Sequence, residues 1–212
     1  EKRGYRYSFD MLGEAARTEE DAQKYYVSYE QAIHAIGKAS NGRGVIAGPG
    51  ISVKLSALYP RYEVAKREQV LDILTRRTLE LAKIAKAYDI GFCVDAEEAE
   101  RLELSLEVME AVYGNPALDG WTGFGLAIQA YSKRTYKLID VLAEMSKRVG
   151  RRMNVRLVKG AYWDAEIKRA QDLGLPDYPV YTRKVSTDVS YMACARKLFD
   201  YGDLFFPQFA TH

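Results

Sequence analysis

The sequence predicts an α/β fold: a (βα)8 TIM-like barrel with about six of its eight βα units inside the 212 residues. Two observations predict it. Short strand-like stretches alternate strictly with amphipathic helical ones, which implies parallel strands joined by right-handed crossovers. The strand stretches also have one aliphatic face and one small or polar face. Ile51, Val53 and Leu55 oppose Ser52, Lys54 and Ser56; Phe92 and Val94 oppose Gly91, Cys93 and Asp95; Leu126 and Ile128 oppose Gly125, Ala127 and Gln129. An open sheet covered by helices on both sides would be apolar on both faces, whereas a barrel needs a greasy outer face and an inner face that turns polar near its mouth.

The elements follow in order. Tyr5–Leu12 alternates as a first strand, and Thr18-Glu19-Glu20-Asp21 starts a helix with a side-chain cap and an acidic first turn. That helix carries Ala22, Tyr26, Tyr29, Ile33 and Ile36 on one stripe and ends at Asn41-Gly42-Arg43-Gly44. A second strand over Gly50–Leu58 precedes a long helix with the stripe Leu71, Leu74, Thr78, Leu81, Ala85 and Tyr88. The third strand, Ile90–Asp95, leads to a helix with Leu102, Leu106, Met109 and Tyr113 in register. The fourth, Gly123–Ala130, leads to one with Leu138, Leu142 and Met145. A fifth strand opens at Asn154 and changes within a few residues into Lys159-Gly160-Ala161-Tyr162-Trp163. Helices over Asp164–Leu173 and about Ser186–Phe199 flank a loop with Pro176 and Pro179, and Leu204–Thr211 is the sixth strand. Residues 1–212 therefore read as one incomplete barrel, with two strands and a final helix still to come.

Composition excludes several classes. The net charge of +2 has no basic stripe beyond pairs such as Arg76-Arg77, so no nucleic-acid partner is expected. Cys93 and Cys194 have neither disulfide nor metal-ligand spacing and read as buried free thiols in a reducing, cytoplasmic compartment. No apolar run approaches the roughly 20 residues of a membrane span, so any membrane association is expected to be peripheral. Neither a dinucleotide-binding glycine fingerprint nor a phosphate-binding GxxxxGK[ST] loop is present.

Asp10, Lys54, Asp95, Gln129 and Arg156 each fall at or near the carboxyl end of a different strand, on the non-aliphatic face. Barrel enzymes build their sites on that rim. Each residue has a plainer reading: Asp95 could cap the next helix, Lys54 could pair with Asp95, and Asp10 could meet Arg156. Five strands each burying a polar group for stability alone is harder to sustain, at about 1–3 kcal/mol apiece if unpaired. Two cations suit an anion or an electron-rich ring, Gln129 both donates and accepts, and Tyr162 and Trp163 offer flat walls. Thr182, Arg183 and Lys184 before a helix suit a phosphate, or are an ordinary solvated basic helix start. A flat, phosphate-bearing cofactor fits.

Tyr7-Ser8-Phe9-Asp10-Met11-Leu12-Gly13-Glu14, Lys54-Leu55-Ser56-Ala57-Leu58, Asp95-Ala96-Glu97-Glu98, Arg156 to Trp163, and Gln208-Phe209-Ala210-Thr211-His212 resemble the proline dehydrogenase domain of the bifunctional proline utilisation A flavoproteins. The resemblance covers essentially the whole chain. It implies an FAD-containing barrel that oxidises L-proline to Δ1-pyrroline-5-carboxylate and passes electrons to a membrane quinone, with an aldehyde dehydrogenase domain attached in the full-length protein. It further implies Arg156 beside the flavin N5 and Lys54 on the proline carboxylate, ordered by Asp95. Gln129, Val158, Lys159, Gly160, Ala161 and Trp163 would line the flavin ring and ribityl chain. Thr182, Arg183, Lys184, Thr211 and His212 would reach the pyrophosphate and adenosine end, and Tyr162 would wall the proline pocket. The family's tyrosine and arginine pair that clamp the substrate carboxylate have no counterpart in these residues, so the 212 residues alone are expected to be inactive. Two other classes stay open: a Schiff-base lyase or aldolase using Lys54 or Lys159, and a non-catalytic barrel that binds a partner.

Overall fold

The computed structural model describes residues 5–11 and 13–210. Its elements run β1 (Ser8–Asp10), α1 (Glu19–Ser40), α2 (Gly44–Ala47), β2 (Gly50–Val53), α3 (Leu55–Leu58), α4 (Arg67–Ala87), β3 (Gly91–Val94), α5 (Leu102–Tyr113), β4 (Phe124–Gln129), α6 (Thr135–Val149), β5 (Met153–Val158), α7 (Trp163–Asp172), α8 (Lys184–Asp200) and β6 (Phe205–Phe209). Single 3-10 turns occupy Val64–Lys66, Ala99–Arg101 and Pro116–Leu118. The chain divides into two compact units, Glu1–Asp95 with Glu103–Gly125 and Ala96–Leu102 with Leu126–His212.

In the first unit β1, β2 and β3 pair in parallel, with Asp10, Ser52 and Cys93 in one register row. The Phe92 N–H donates to the Gly123 carbonyl at 2.8 Å, bringing the start of β4 beside β3. In the second unit Ala130 N–H donates to Val158 O at 2.8 Å and Tyr131 N–H to Lys159 O at 2.7 Å, so the end of β4 lies beside β5. β5 and β6 then pair in parallel from Met153↔Phe205 to Leu157↔Phe209. The strand order is therefore β1-β2-β3-β4-β5-β6 in a parallel sheet, which bears out the expected α/β alternation.

Local chemistry explains the element ends. Thr18 caps α1 by accepting from the Asp21 N–H at 3.1 Å, while the Asp21 carboxylate takes the Thr18 N–H at 3.0 Å, a reciprocal box. Asn41 stops the helix in the left-handed region at φ 51°. Within the first unit Tyr113, Phe124 and Phe92 stack in sequence, with ring centroids 5.8 and 6.0 Å apart. In the second, Val155, Leu157, Cys194, Leu198 and Phe205 are fully buried. Both cysteines are free and buried, as expected.

Several expectations need correction. The second strand stops at Val53, and Leu55–Leu58 is one helical turn. Ser56 causes this at long range, its hydroxyl and carbonyl accepting the Ala15 and Ala16 N–H groups at 3.0 and 2.9 Å. The first strand shortens to three exposed residues paired with β2, and Leu12 lies outside the described residues. The expected stripes are buried at Leu74, Thr78, Leu81 and Ala85 in α4 and at Met109 and Tyr113 in α5, and differ only at single members. Val70 and Leu104, rather than Leu71, Leu102 and Leu106, are buried. The last helix begins two residues earlier than expected, at Lys184.

Candidate active site

The first unit gathers three of the rim residues. Lys54 directly follows β2 and is still extended (φ −109°, ψ 129°), so the alternation of faces carries one residue past the strand. It therefore stands one layer above Ser52, the register partner of Asp10. Asp95 directly follows β3, and its N–H donates to the Val53 carbonyl at 2.9 Å. The outcome is a bridged cation: Lys54 Nζ lies 3.0 Å from Asp95 Oδ2 and 3.2 Å from Asp10 Oδ2. The Lys54 and Asp95 side chains are 15% and 16% exposed, whereas Asp10 is half exposed. Burial opposes the Lys54 charge, but attraction from Asp95 and then Asp10 outweighs it, so the ammonium is held above the ordinary lysine pKa. The Tyr29 hydroxyl accepts the Lys54 N–H at 3.2 Å, and burial pushes that phenol up to about 12.

The plainer readings are thereby divided. Lys54 does pair with Asp95, and Asp10 joins the same cation. In the turn that follows, Glu98 holds the N-cap position and the Ala99 N–H goes to Glu166. Two carboxylates and one ammonium leave this group with a net negative charge.

The second unit gathers the rest. Gln129 ends β4, and its amide is used at both ends: Nε2 donates to the Glu97 carbonyl at 2.9 Å and Oε1 accepts the Ala161 N–H at 3.0 Å. Arg156 lies on the half-exposed face of β5 in register with Gln208, so those side chains are same-face neighbours, and Val158 follows on that face. Beyond β5 the chain turns through Gly160 at φ 146°, where a Cβ would lie 2.4 Å from the Tyr131 ring. Only glycine suits both conditions. Ala161 is exposed, Tyr162 is at the N-cap position of α7, and Trp163 stays 42% exposed while its indole N–H donates to Tyr181 O at 3.0 Å.

Lys159 and Lys184 converge on one carboxylate, at 2.6 Å from Asp188 Oδ1 and 2.9 Å from Asp188 Oδ2. These hydrogen bonds, that from Lys159 first, hold the Asp188 carboxyl below the usual range. Thr182 and Arg183 are exposed just before α8, whose first turn has no side-chain cap. That leaves open N–H groups beside three cations and one anion, an arrangement suited to phosphate. Thr211 and His212 lie outside the described residues.

Sequence reasoning missed Tyr131, Glu166, Asp188 and Gln208. Asp188 had a signal, since it follows Lys184 at i+4, the spacing of a helical ion pair. Gln208 had one too, as a polar residue at the matching place on β6. Tyr131 and Glu166 had none, because their partners are distant in sequence.

A sequence model described as proline dehydrogenase matches residues 1–212. The chain is 60% identical over 212 residues to the bifunctional protein PutA of Salmonella typhimurium, covering all of this chain and 16% of that protein. It is 29% identical over 140 residues to a mitochondrial proline dehydrogenase 1 of Drosophila melanogaster, covering 63% of this chain and 20% of that protein. A crystal structure of a mutant Bradyrhizobium japonicum proline utilization A superposes with TM-score 0.96 at 56% identity over 98% of this chain and 21% of its own. A proline utilization A from Bdellovibrio bacteriovorus inactivated by N-propargylglycine superposes with TM-score 0.93 at 30% identity, over all of this chain and 23% of its own. The chain thus spans about a sixth to a fifth of the proteins it matches. The fold class expected from the strand faces, the barrel of this type, is the one these structures share.

Proposed function

The chain belongs to the proline dehydrogenase family, and from that premise we propose that it carries the oxidising site of a bifunctional proline-catabolic flavoenzyme. L-proline would be oxidised to Δ1-pyrroline-5-carboxylate with FAD as the electron acceptor, and the electrons would pass to a quinone at a membrane surface. The observation that carries this reading is the turn Lys159–Trp163. Its glycine, at φ 146°, packs against the Tyr131 ring, its Ala161 N–H is fixed by Gln129, and its Trp163 indole N–H is held by the Tyr181 carbonyl.

The residues present fit FAD. The turn 158–163 with Gln129 and Arg156 would hold the ring and ribityl part, and Thr182, Arg183 and Lys184 at the start of α8 would hold the phosphates, with Thr211 and His212 assigned to the adenosine end. Bound FAD supplies a two-electron acceptor, so that proline loses two electrons and two protons as a C–N single bond becomes C=N. Arg156 contributes a fixed cation, the kind of group that stabilises negative charge accumulating during electron transfer. The Lys54 group suits a zwitterion: the ammonium has a third N–H for a carboxylate, and Asp10 and Asp95 favour the substrate's own cationic amine. Tyr162 would wall the substrate pocket. No helix among the described residues is long and apolar enough to cross a membrane, so a quinone would be met at the bilayer surface. The aldehyde dehydrogenase partner domain would lie elsewhere in the longer polypeptide.

The raised pKa of Lys54 works against the lyase alternative, because a Schiff-base lysine must be readily deprotonated. The test is a visible absorbance spectrum of the full-length protein, taken anaerobically before and after L-proline. Flavin bands that bleach with proline, and fail to bleach after incubation with N-propargylglycine, are expected. A colourless protein, or flavin indifferent to proline, would sink the proposal.

A further inference from the structure

Tyr131 sits where three segments of the second unit meet. Its N–H donates to the Lys159 carbonyl at 2.7 Å, and its carbonyl accepts the Tyr181 N–H at 2.8 Å. Its ring lies directly against Gly160, and Tyr181 in turn holds the Trp163 indole. One residue thus ties together 159–163 and 181–184, the two stretches assigned above to the cofactor.

The side chain is 3% exposed, so its hydroxyl is out of reach of solvent; the Tyr162 backbone and the Gln129 amide lie close enough to act on it, but neither contact has full hydrogen-bond geometry. The polar groups around it are the Tyr162 backbone, the Gln129 amide and the carboxylates of Glu166 and Glu98. Burial, and then the negative charge of Glu166, push the phenol well above its ordinary pKa, so it stays neutral. A buried unsatisfied hydroxyl costs about 1–3 kcal/mol, whereas phenylalanine would fill the same space without that cost. Packing therefore accounts for the ring and leaves the oxygen unexplained.

We propose that Tyr131 is a positioning residue for the site: its ring sets the height of the Gly160–Ala161 backbone, and its hydroxyl engages the Tyr162 backbone when a flat ligand seats on that turn. The proposal rests on the reading of 158–163 as a flavin-contacting turn. It predicts that the hydroxyl matters to binding and not to folding. Gln129 already holds the neighbouring Ala161 N–H, so the two residues would fix consecutive peptide groups of the turn from one side.

The experiment compares wild type, Tyr131→Phe and Glu166→Gln in the full-length protein. FAD affinity is read by flavin fluorescence on titrating the apoprotein, the proline KM and kcat by steady-state assay, and thermal stability without flavin by circular dichroism. The expected result for Tyr131→Phe is an unchanged or higher Tm, FAD binding weaker by about tenfold, the worth of one hydrogen bond, and a KM that rises more than kcat falls. FAD affinity and KM within twofold of wild type would overturn the proposal. So would equal losses in Glu166→Gln, which would mean that the hydroxyl serves the buried carboxylate instead. If wild type itself fails to take up FAD, the functional reading fails; if wild type binds and Tyr131→Phe binds as well, only this inference does.

Discussion

Replacing Lys54 with methionine keeps the length of the side chain and removes the charge that two carboxylates share. At 3.0 and 3.2 Å each contact is worth about 5 kcal/mol of attraction at an effective dielectric near 20, before desolvation is subtracted. Breaking a buried pair from one side costs about 3–5 kcal/mol. Asp10 is half exposed and recovers its hydration, so its share must be discounted, while Asp95 at 16% exposure does not. The net expectation is about 2 kcal/mol, or roughly 4–8 °C in Tm for a chain of this size. The sign with pH is fixed by the raised lysine pKa: the contribution is fully present below the ordinary lysine value and is lost only as pH rises through the higher folded value. Wild type should therefore hold this advantage throughout pH 6–9. Thermal unfolding followed by circular dichroism across pH 4–9 measures this directly. A difference under about 1 °C at pH 7 would refute a charge-based role and leave packing as the cause.

Two further expectations concern stability. A Cβ at Gly37 of α1 would lie 2.2 Å from the Tyr88 ring, which is itself anchored by His34 at 3.0 Å. Gly37→Ala should therefore cost about 1–3 kcal/mol by overpacking, measured by urea unfolding, despite alanine's better helix propensity. In a Tyr88→Ala background the same substitution should stabilise instead, by up to about 1 kcal/mol. Burial, reinforced by Glu98 and Glu100, raises the pKa of Glu166, so ionising it opposes folding as pH rises through that value. Glu166→Gln keeps an acceptor for the Ala99 N–H and should raise Tm at pH 7–8 by about 2 °C or more, a gain that vanishes below pH 4.5; a loss at pH 8 would count against the sign.

What the sequence disclosed and what it hid divide along one physical line, the range over which the deciding contact acts. Parity along a strand is local, so Lys54 and Asp95 could be placed on the polar face even though both fall one residue past their strands. The turn Leu55–Leu58 could not be foreseen, because Leu-Ser-Ala-Leu suits a strand or a helix, and Ser56 settles the matter with backbone groups 41 residues away. Helix stripes were legible in spacing and in most of their members, and differ only at single positions such as Leu71, Leu102 and Leu106, where burial depends on what packs opposite. Glycine 160 shows both sides of the line at once. Its residue type announced a close approach, but the Tyr131 ring it meets lies 29 positions upstream at the end of another strand, and only the fold brings the two together. The residues proposed for binding are therefore those whose own chemistry advertises a role, whereas Tyr131 and Asp188 hold one of them, Lys159, through its carbonyl and its ammonium. Residues of that second kind should affect affinity more than rate, and the Tyr131→Phe comparison of KM with kcat separates the two.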